Sequence, residues 1–423
     1  MSGEDGSEAE RGGGITDPVA TWLIEEGWKV AGLAELVRGL CERLVATGMP
    51  MWRLNLLVRW LHPEFMGASY LWRRGAAAVE FLQAGEEVLA SPAYLDSPSR
   101  VAFEAGTTLR RRLVGAGAVV DYPLLEELRA AGGTDYVVLP VEFTIAGRTS
   151  VVSVATDRAG GFSRAELERM DRLRPLFARL CEGHLLKSLA TVLLDTYVGH
   201  EAGARILRGE IRRGAGETIR AVICACDLRN FTPLSDALPR DELIALLNTY
   251  FERVGTAMTA NGGEVVKFIG DSILVIFPVT AALAPREACR AALAAARQAM
   301  AAMEDLNRER RAAGAEALGF RLALHIGDVM YGNVGMPGRL DFTVIGPAVN
   351  LVSRLERLAG ELELPVVVSQ AFARHLPEPL VHLGRHRLRG VREPQAAFTV
   401  SDAAMAARMD RMAREMGGAA DGG

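Results

Sequence analysis

Two charged residues, Lys267 and Asp271, lie in an otherwise apolar part of the chain. The segment 263–278 has β-branched and aromatic residues on both sides of a Gly270-Asp271 pair. Two such segments joined by a Gly-Asp turn predict a β-hairpin with a carboxylate at its tip. That carboxylate can bind a hard divalent cation, but a turn-forming aspartate and a lysine with a packed stem are the simpler interpretation. The hairpin alone favours the simpler one.

A second carboxylate, Asp227, ends the nearly continuous apolar strand predicted at 219–228. An aspartate at the end of a strand more often forms a turn or caps a helix than binds a metal. Together, however, Asp227 and Asp271 both lie at strand-to-loop corners. This arrangement makes a site for divalent cations an equally good interpretation.

A polar pair, Asn350 and Arg354, lies on the helix predicted within 344–358. The spacing of the pair places both residues on one face of the helix, and the leucines lie about a quarter-turn away on the packed side. This polar face is either simply solvated or a clamp for a phosphate, because the planar guanidinium fits phosphoryl oxygens. His325 lies in an apolar strand without a ligand partner at metal spacing, which predicts a structural role.

The helices and strands predicted around these residues indicate a mixed α+β domain. Strands and helices alternate in the order β-α-β-β-α-β, which predicts a ferredoxin-like core with additions. The predicted helices lie at 242–258, at 285–312 and within 344–358. The predicted strands lie at 219–228, on both sides of the Gly270-Asp271 turn, and at 320–326, 328–332, 365–369, 385–388 and 397–400.

Residues from about 217 to 400 resemble the catalytic domain of class III nucleotidyl cyclases. Five motifs carry the resemblance, and they occur in the same order as in that family. They are Asp227-Leu-Arg-Asn-Phe-Thr232, Lys267-Phe-Ile-Gly-Asp271, His325–Gly335, Asp341–Arg354 and Leu388-Arg-Gly390. One motif can arise by chance, whereas five in order are specific.

The resemblance implies a metal site and a base site. Asp227, Asp271 and the backbone of Leu228 match the positions that bind two Mg²⁺ or Mn²⁺ ions. Lys267 and Asp341 match the positions that contact adenine. Guanylate cyclases usually have Glu and Cys at those two positions, so the resemblance is to the adenylate type.

The resemblance also implies contacts with the ribose and the phosphates. Asn350 matches the residue that positions the ribose, and Arg354 matches the one that stabilises the reacting phosphate. The backbone at 230–232, including Phe231 and Thr232, is expected to cradle the triphosphate. Gly270 and Arg389 complete the expected substrate-binding set, with Arg389 near the terminal phosphates.

The expected activity is that of an adenylate cyclase, which converts ATP into 3′,5′-cyclic AMP and pyrophosphate. The ribose 3′-hydroxyl attacks the α-phosphorus, and two metal ions assist the reaction. In the family, the metal-binding aspartates and the other four residues come from opposite subunits, which implies a homodimer. A guanylate cyclase and a nucleotide-binding signalling module without turnover remain as alternatives.

The N-terminal half predicts a second α+β domain that resembles a GAF-like sensory domain. Strands are predicted at 52–60, 69–73, 135–143 and 149–156, and helices at 33–46, 98–113, 123–131 and from a capping box at 163–166 onwards. The predicted organisation is a disordered tail at 1–14, a GAF-like regulatory domain at 15–185, a helical linker at 186–216, the catalytic domain at 217–402 and a C-terminal tail at 403–423. An unidentified small molecule or protein is the expected signal.

Composition is typical of an ordinary globular protein. A net charge of -4 with 24% charged residues argues against a nucleic-acid binder driven by bulk electrostatics. No apolar stretch reaches membrane-spanning length without a charge or turn, and no signal peptide is evident. Five cysteines, an odd number without metal-site spacing, indicate buried thiols in a reducing compartment. A cytoplasmic location is therefore expected.

Overall fold

The computed structural model describes residues 17–59, 65–144, 149–229 and 231–401. The chain divides into two compact units, Met1–Leu193 and Leu194–Gly423. The predicted tails at 1–14 and 403–423 lie outside the described residues. Within the described ranges, no helix combines the length and the apolar character needed to cross a membrane.

The first unit contains a six-stranded sheet in the order β3-β2-β1-β6-β5-β4, in which neighbouring strands are antiparallel. The strands are β1 (Arg53–Arg59), β2 (Gly67–Arg73), β3 (Glu80–Ala84), β4 (Leu109–Arg112), β5 (Asp135–Glu142) and β6 (Thr149–Thr156). The helices are α1 (Pro18–Glu25), a 3₁₀ turn (Gly27–Lys29), α2 (Leu33–Ala46), α3 (Glu86–Leu89), α4 (Pro92–Leu95), α5 (Pro98–Ala105), α6 (Pro123–Ala130) and α7 (Arg164–Val198).

The alternating pattern of β1 is confirmed. Leu54, Leu56 and Val58 face the larger core of this unit and are almost fully buried. Helices α2 and α7 contribute apolar side chains to the same core, while α5 and α6 contribute to a smaller core. Side chains of successive strand residues point to opposite faces, so β1 separates the two cores.

The structure corrects one predicted helix of the first unit and confirms the start of another. The helix predicted at 98–113 is wrong beyond Ala105, because Gly106 adopts a left-handed φ of +63° that ends α5. Leu109–Arg112 of that segment forms β4. The capping box is confirmed, since the Ser163 amide donates to Glu166 and the Glu166 amide donates to Ser163 Oγ. Helix α7 then continues through Pro175.

The second unit contains an eight-stranded sheet. Its strands are β7 (Gly216–Arg229), β8 (Glu264–Ile269), β9 (Ser272–Pro278), β10 (Gly319–Met336), β11 (Arg339–Ile345), β12 (Val366–Ser369), β13 (Val381–His386) and β14 (Gln395–Thr399). Its helices are α8 (His200–Leu207), α9 (Phe231–Ala237), α10 (Arg240–Ala260), α11 (Pro285–Ala312), α12 (Pro347–Glu361) and α13 (Gln370–Ala373).

The ferredoxin-like core is present in this unit. The strands lie in the order β13-β14-β12-β10-β7-β9-β8, and β11 pairs with β10 outside this path. The central part, β10-β7-β9-β8, is antiparallel and follows the β-α-β-β-α-β succession with α10 and α11 as its helices. β7 therefore lies inside the sheet between β10 and β9, and β8 of the β8–β9 hairpin forms the sheet edge.

Three strand predictions in this unit need correction. The strands predicted at 320–326 and 328–332 are one continuous strand, β10. Gly327 does not interrupt it; a Cβ there would lie 2.8 Å from the Cβ of Ala348, so this glycine allows α12 to approach the strand. β11 was not predicted. The strand predicted at 385–388 is β13, which begins and ends earlier, at Val381 and His386.

Candidate active site

The β8–β9 hairpin carries Asp271 in a two-residue turn. Ile269 pairs with Ser272, so Gly270 and Asp271 form the connection, and Gly270 has a φ of +62°. Glycine at the first central position suits the tight turns that match the twist of a hairpin. Ser272 Oγ donates to the carbonyl oxygen of Cys226 at 3.0 Å, which joins the base of the turn to the end of β7.

The end of β7 and the hairpin turn bring Asp227 and Asp271 together. The backbone N–H groups of Asp271 and Leu228 donate to the Asp271 carboxylate. Burial, and next the neighbouring Asp227 carboxylate, raise the pKa of Asp271 to about 7. Asp227 Oδ1 is buried and has no hydrogen-bond partner among the described residues. Two carboxylates crowded in this way are stabilised by a cation between or beside them.

These residues fit a hard divalent cation. Both side chains offer carboxylate oxygens, which Mg²⁺ and Mn²⁺ prefer, and Asp227 Oδ1 accepts from no donor in the described part of the chain. The backbone of Leu228 lies next to both. No cluster of three or more His, Cys, Asp or Glu side chains suited to a metal occurs in the part of the chain that the structure describes. A cation here therefore completes its coordination with oxygens from outside the chain, from water or from a substrate phosphate.

Arg321 and Glu356 complete the surroundings of Asp227. Arg321 lies opposite Asp227 in the β10–β7 register, and its Nη2 donates to Asp227 Oδ2 at 2.7 Å. Its Nε donates to Glu356 Oε1. Burial raises the pKa of Glu356, with Arg321 opposing the shift and Asp227 adding to it. Sequence reasoning missed both residues, although an arginine inside an apolar strand is itself a signal.

Lys267 and Asp341 form an ion pair on another part of the sheet. Lys267 Nζ on β8 donates to Asp341 Oδ2 on β11. β11 holds Asp341 opposite Val334 of β10. The two side chains are partly exposed, at 29% and 54%. The structure thus brings together the two residues that the sequence predicted as contacts of a base, with a donor and an acceptor side by side.

Asn350 and Arg354 lie on α12, which begins at Pro347 after Gly346 in an extended, glycine-specific conformation with φ +152°. Asn350 is exposed and Arg354 half-buried. At 3.6 residues per turn, Glu356 lies about 120° around the helix from Asn350 and about 160° from Arg354. Glu356 faces Asp227, so the Asn350–Arg354 face points away from the Asp227–Asp271 pair of the same chain.

No hydrogen bond or ion pair among the described residues joins Phe231 or Arg389 to Asp227 or Asp271. Phe231 begins α9 and packs partly buried against the core, next to Thr232. The neighbouring Asn230 lies outside the described residues. Arg389 is exposed in the turn before Gly390, whose φ is +78°. The roles expected for these residues stay predictions.

His325 lies in the core rather than in the candidate site. Its ring Nδ1 is 2.8 Å from Ser369 Oγ, and that oxygen also accepts from the Phe372 amide at the start of α13. Burial, with a smaller effect of Arg220, lowers the pKa of His325 to about 4. The neutral ring is therefore a structural link between β10 and the β12–α13 corner, in line with its predicted role.

Comparisons with known proteins concern the second unit. Residues 217–401 match the family model of the adenylate and guanylate cyclase catalytic domain. An adenylate cyclase of Anabaena cylindrica is 34% identical over 173 residues, which are 40% of this chain and 33% of that protein. Adenylate cyclase 1 of Rhizobium meliloti is 32% identical over 147 residues, 34% of this chain and 22% of that protein. The chain thus spans a third or less of the length of these two relatives.

Among solved structures, the adenylyl cyclase CyaB from P. aeruginosa is 27% identical, with a TM-score of 0.42. The match covers 45% of this chain and 97% of CyaB. The guanylyl cyclase Cya2 is 25% identical with a TM-score of 0.39, over 44% of this chain and 96% of Cya2.

Proposed function

We propose, from the premise that residues 217–401 form an adenylate and guanylate cyclase catalytic domain, that the protein is an adenylate cyclase. It converts ATP into 3′,5′-cyclic AMP and pyrophosphate. The Lys267–Asp341 pair carries the choice of base. Lys267 donates to a ring nitrogen of adenine, and Asp341 accepts from the 6-amino group. The two relatives named as adenylate cyclases support the same choice.

The reaction forms a bond between the ribose 3′-oxygen and the α-phosphorus and breaks the bond to pyrophosphate. Arg354 stabilises the negative charge that spreads over the phosphate oxygens, with a cation that does not titrate. Asn350 orients the ribose for in-line attack. Asp227, Asp271 and the backbone of Leu228 bind two Mg²⁺ or Mn²⁺ ions. When bound, such ions would lower the pKa of the 3′-hydroxyl and neutralise charge on the departing pyrophosphate.

We propose further that each active site forms between two copies of the chain. The observation behind this is the orientation of α12, whose Asn350–Arg354 face points away from the aspartate pair of its own chain. A second copy can supply that face. Exposed apolar side chains next to the proposed base site fit such an interface: Phe268 and Ile269 on the hairpin and Leu340 on β11 are 53%, 58% and 41% exposed.

One assay tests the activity and separates the alternatives. The full chain is incubated with Mg²⁺ or Mn²⁺ and either ATP or GTP, and the products are separated by chromatography. Cyclic AMP from ATP, lost in Asp271→Ala, is the expected result. Cyclic GMP from GTP as the main product identifies a guanylate cyclase. No cyclic product with either metal indicates a nucleotide-binding module without turnover.

We also propose that the first unit regulates the second in response to a small molecule or a protein, as a GAF-like domain would. The expected result is that residues 200–410 and the full chain differ in specific activity, or respond differently in a ligand screen. Equal activity of the two under all conditions contradicts regulation by the first unit.

A further inference from the structure

We propose that Arg321 and Glu356 are positioning residues that hold the Asp227 carboxylate in the orientation needed to bind a divalent cation. This inference rests on the proposed function, because it assumes that Asp227 is a metal ligand. It concerns two residues that belong to none of the five sequence motifs. We call Arg321 and Glu356, with their contacts to each other and to Asp227, the carboxylate clamp.

The contacts of the clamp use two edges of one guanidinium. Arg321 Nη2 donates to Asp227 Oδ2 at 2.7 Å, and Arg321 Nε donates to Glu356 Oε1. Asp227 is at the end of β7, Arg321 on β10 directly opposite, and Glu356 on α12. Three different elements therefore meet at one guanidinium, and each contact restricts the orientation of the next side chain.

The clamp occupies one oxygen of Asp227 and leaves the other without a donor. Oδ2 accepts from Arg321, whereas Oδ1 is buried and has no hydrogen-bond partner among the described residues. Leaving a buried carboxylate oxygen unpaired is unfavourable in a folded protein. A cation that binds Oδ1 removes this cost. The fixed Oδ2 contact ensures that Oδ1, rather than either oxygen at random, is presented to the cation.

The burial of the clamp distinguishes it from an ordinary surface ion pair. The side chains of Arg321, Asp227 and Glu356 are 24%, 18% and 15% exposed. Surface pairs of lysine or arginine with carboxylates contribute little, because water and salt screen them. Water and salt screen this partly buried network less. The planar guanidinium of Arg321 also has a geometry that the point charge of a lysine does not reproduce.

A purely electrostatic role for Arg321 predicts the opposite change in metal affinity from a role in orienting Asp227. A positive charge 2.7 Å from a metal ligand repels the incoming cation. If charge alone mattered, removing the arginine would strengthen metal binding. If orientation matters, removing it weakens binding even though the repulsion is gone. Measuring metal affinity, rather than catalysis, therefore separates the two roles.

The experiment measures the affinity of the full chain for Mn²⁺ in the absence of nucleotide. Mn²⁺ is titrated into the millimolar range, and binding is followed by the loss of the electron paramagnetic resonance signal of free Mn²⁺. The variants are Arg321→Lys, Arg321→Gln, Glu356→Ala and Glu356→Gln. Arg220→Lys is the matched control, because Arg220 forms an ion pair with Asp328 at 3.3 Å on the same strand pair, away from Asp227. Thermal unfolding confirms that each variant is folded.

The clamp predicts a graded result. Both Arg321 variants and Glu356→Ala weaken Mn²⁺ binding about 10-fold, which is the usual effect of removing a partner of a metal ligand. Glu356→Gln stays close to wild type, because the amide oxygen of Gln still accepts from Arg321 Nε. Arg220→Lys does not change the affinity.

Two kinds of result overturn the clamp, and they are distinguishable from failure of the proposed function. Stronger Mn²⁺ binding in Arg321→Gln shows that the charge of Arg321, and not the orientation of Asp227, determines the affinity. Equal weakening in Glu356→Gln and Glu356→Ala shows that the charge of Glu356, or its direct ligation of the cation, determines it. Wild-type affinity in both Arg321→Lys and Glu356→Ala also overturns the clamp. If Asp227→Asn binds Mn²⁺ as wild type does, or wild type binds none, the metal site of the proposed function itself fails and the clamp fails with it.

Discussion

The ion pair of Lys267 and Asp341 contributes little to stability, and its geometry suits the proposed role in base recognition. Both side chains are partly exposed, so water and salt screen their attraction, and such pairs contribute at most about 1 kcal/mol to folding. The pair nevertheless keeps a donor and an acceptor side by side on neighbouring parts of the sheet. A base that approaches this edge can replace the ion pair with one hydrogen bond to each side chain.

Substitution of Lys267 by Met tests this interpretation. We expect kcat/KM for ATP to fall about 10- to 100-fold, because a hydrogen bond from a charged donor to the base is lost. We expect the free energy of unfolding to change by less than about 1 kcal/mol. Lys29→Met is the control, because Lys29 also forms an exposed pair, with Glu26, but in the first unit. A large loss of stability, or unchanged kcat/KM, contradicts the assignment.

His325 makes a second residue-scale prediction, about the pH dependence of stability. In the unfolded chain the imidazole has a pKa near 6.5, but burial lowers the folded-state pKa to about 4. Between these values the unfolded state binds a proton and the folded state does not, so stability falls as the pH falls below 6.5. From pH 7.5 to 5.0 this one group removes about 2 kcal/mol of the free energy of unfolding.

Urea unfolding of wild type and His325→Gln at pH 7.5 and 5.0 measures this contribution. The variant is less stable than wild type at pH 7.5, because its side chain does not reproduce the contact with Ser369. Between the two pH values, however, the free energy of unfolding of the variant should fall by about 2 kcal/mol less than that of wild type. Equal losses in the two proteins would show that His325 is protonated in the folded state or does not titrate in this range.

Residue types and spacing singled out Asp227, Asp271 and Lys267 as candidate residues, but not the contacts that support them. Asp227 and Asp271 lie at the ends of predicted strands and Lys267 lies inside one, whereas Asp341 was expected only from the resemblance to the cyclase family, because β11 was not predicted. Arg321 could not be assigned, because its role depends on the register that places it opposite Asp227, and register is set by tertiary pairing.

At the scale of elements, local signals predicted most strands and helices, and tertiary packing explains the differences. The segment after Ala105 has helical character, yet it becomes β4 because it pairs with β5 in the sheet. Gly327 resembles a strand break in the sequence. In the structure it lies inside β10, where α12 packs too closely for any side chain.

The segment 209–215, which precedes β7 and is called the connector here, is bound to β10 through the buried Asn333. Asn333 is 4% exposed, and its Nδ2 donates to the carbonyl oxygen of Glu210 at 2.7 Å. Its backbone exchanges hydrogen bonds with Gly214 and Ala215, each at 2.9 Å. Asn333 pairs with Phe342 of β11, the residue that follows Asp341. The connector is thus fixed to the strand that pairs with β11.

Substitution of Asn333 by Ala should release the connector without unfolding the domain. We expect a loss of about 1–3 kcal/mol in the free energy of unfolding, because the Glu210 carbonyl loses a partly buried donor. Hydrogen exchange should accelerate at 209–215 more than in the hairpin. Asn261→Ala is the control, since that side chain donates to Ala257 and Gln298 near a helix end. Uniform acceleration throughout the second unit would contradict a local role.

At the scale of the whole molecule, the proposed active site needs two copies of the chain, because α12 turns Asn350 and Arg354 away from the aspartates of its own chain. Each dimer then has two equivalent sites, with the aspartates from one copy and Arg354 from the other. An active monomer, identified by analytical ultracentrifugation at the assay concentration, would contradict this arrangement.

Mixing two inactive variants tests the shared site directly. Asp271→Ala lacks a metal ligand, and Arg354→Ala lacks the phosphate contact, so each homodimer should be inactive. In a mixed dimer one site contains both substitutions, and the other contains neither. Random exchange of subunits makes half of the dimers mixed, so activity should recover to about a quarter of wild type. If both residues of each site came from one chain, no mixture would recover activity. The double variant Asp271→Ala/Arg354→Ala, mixed with either single variant, is the negative control, because every site then carries at least one substitution.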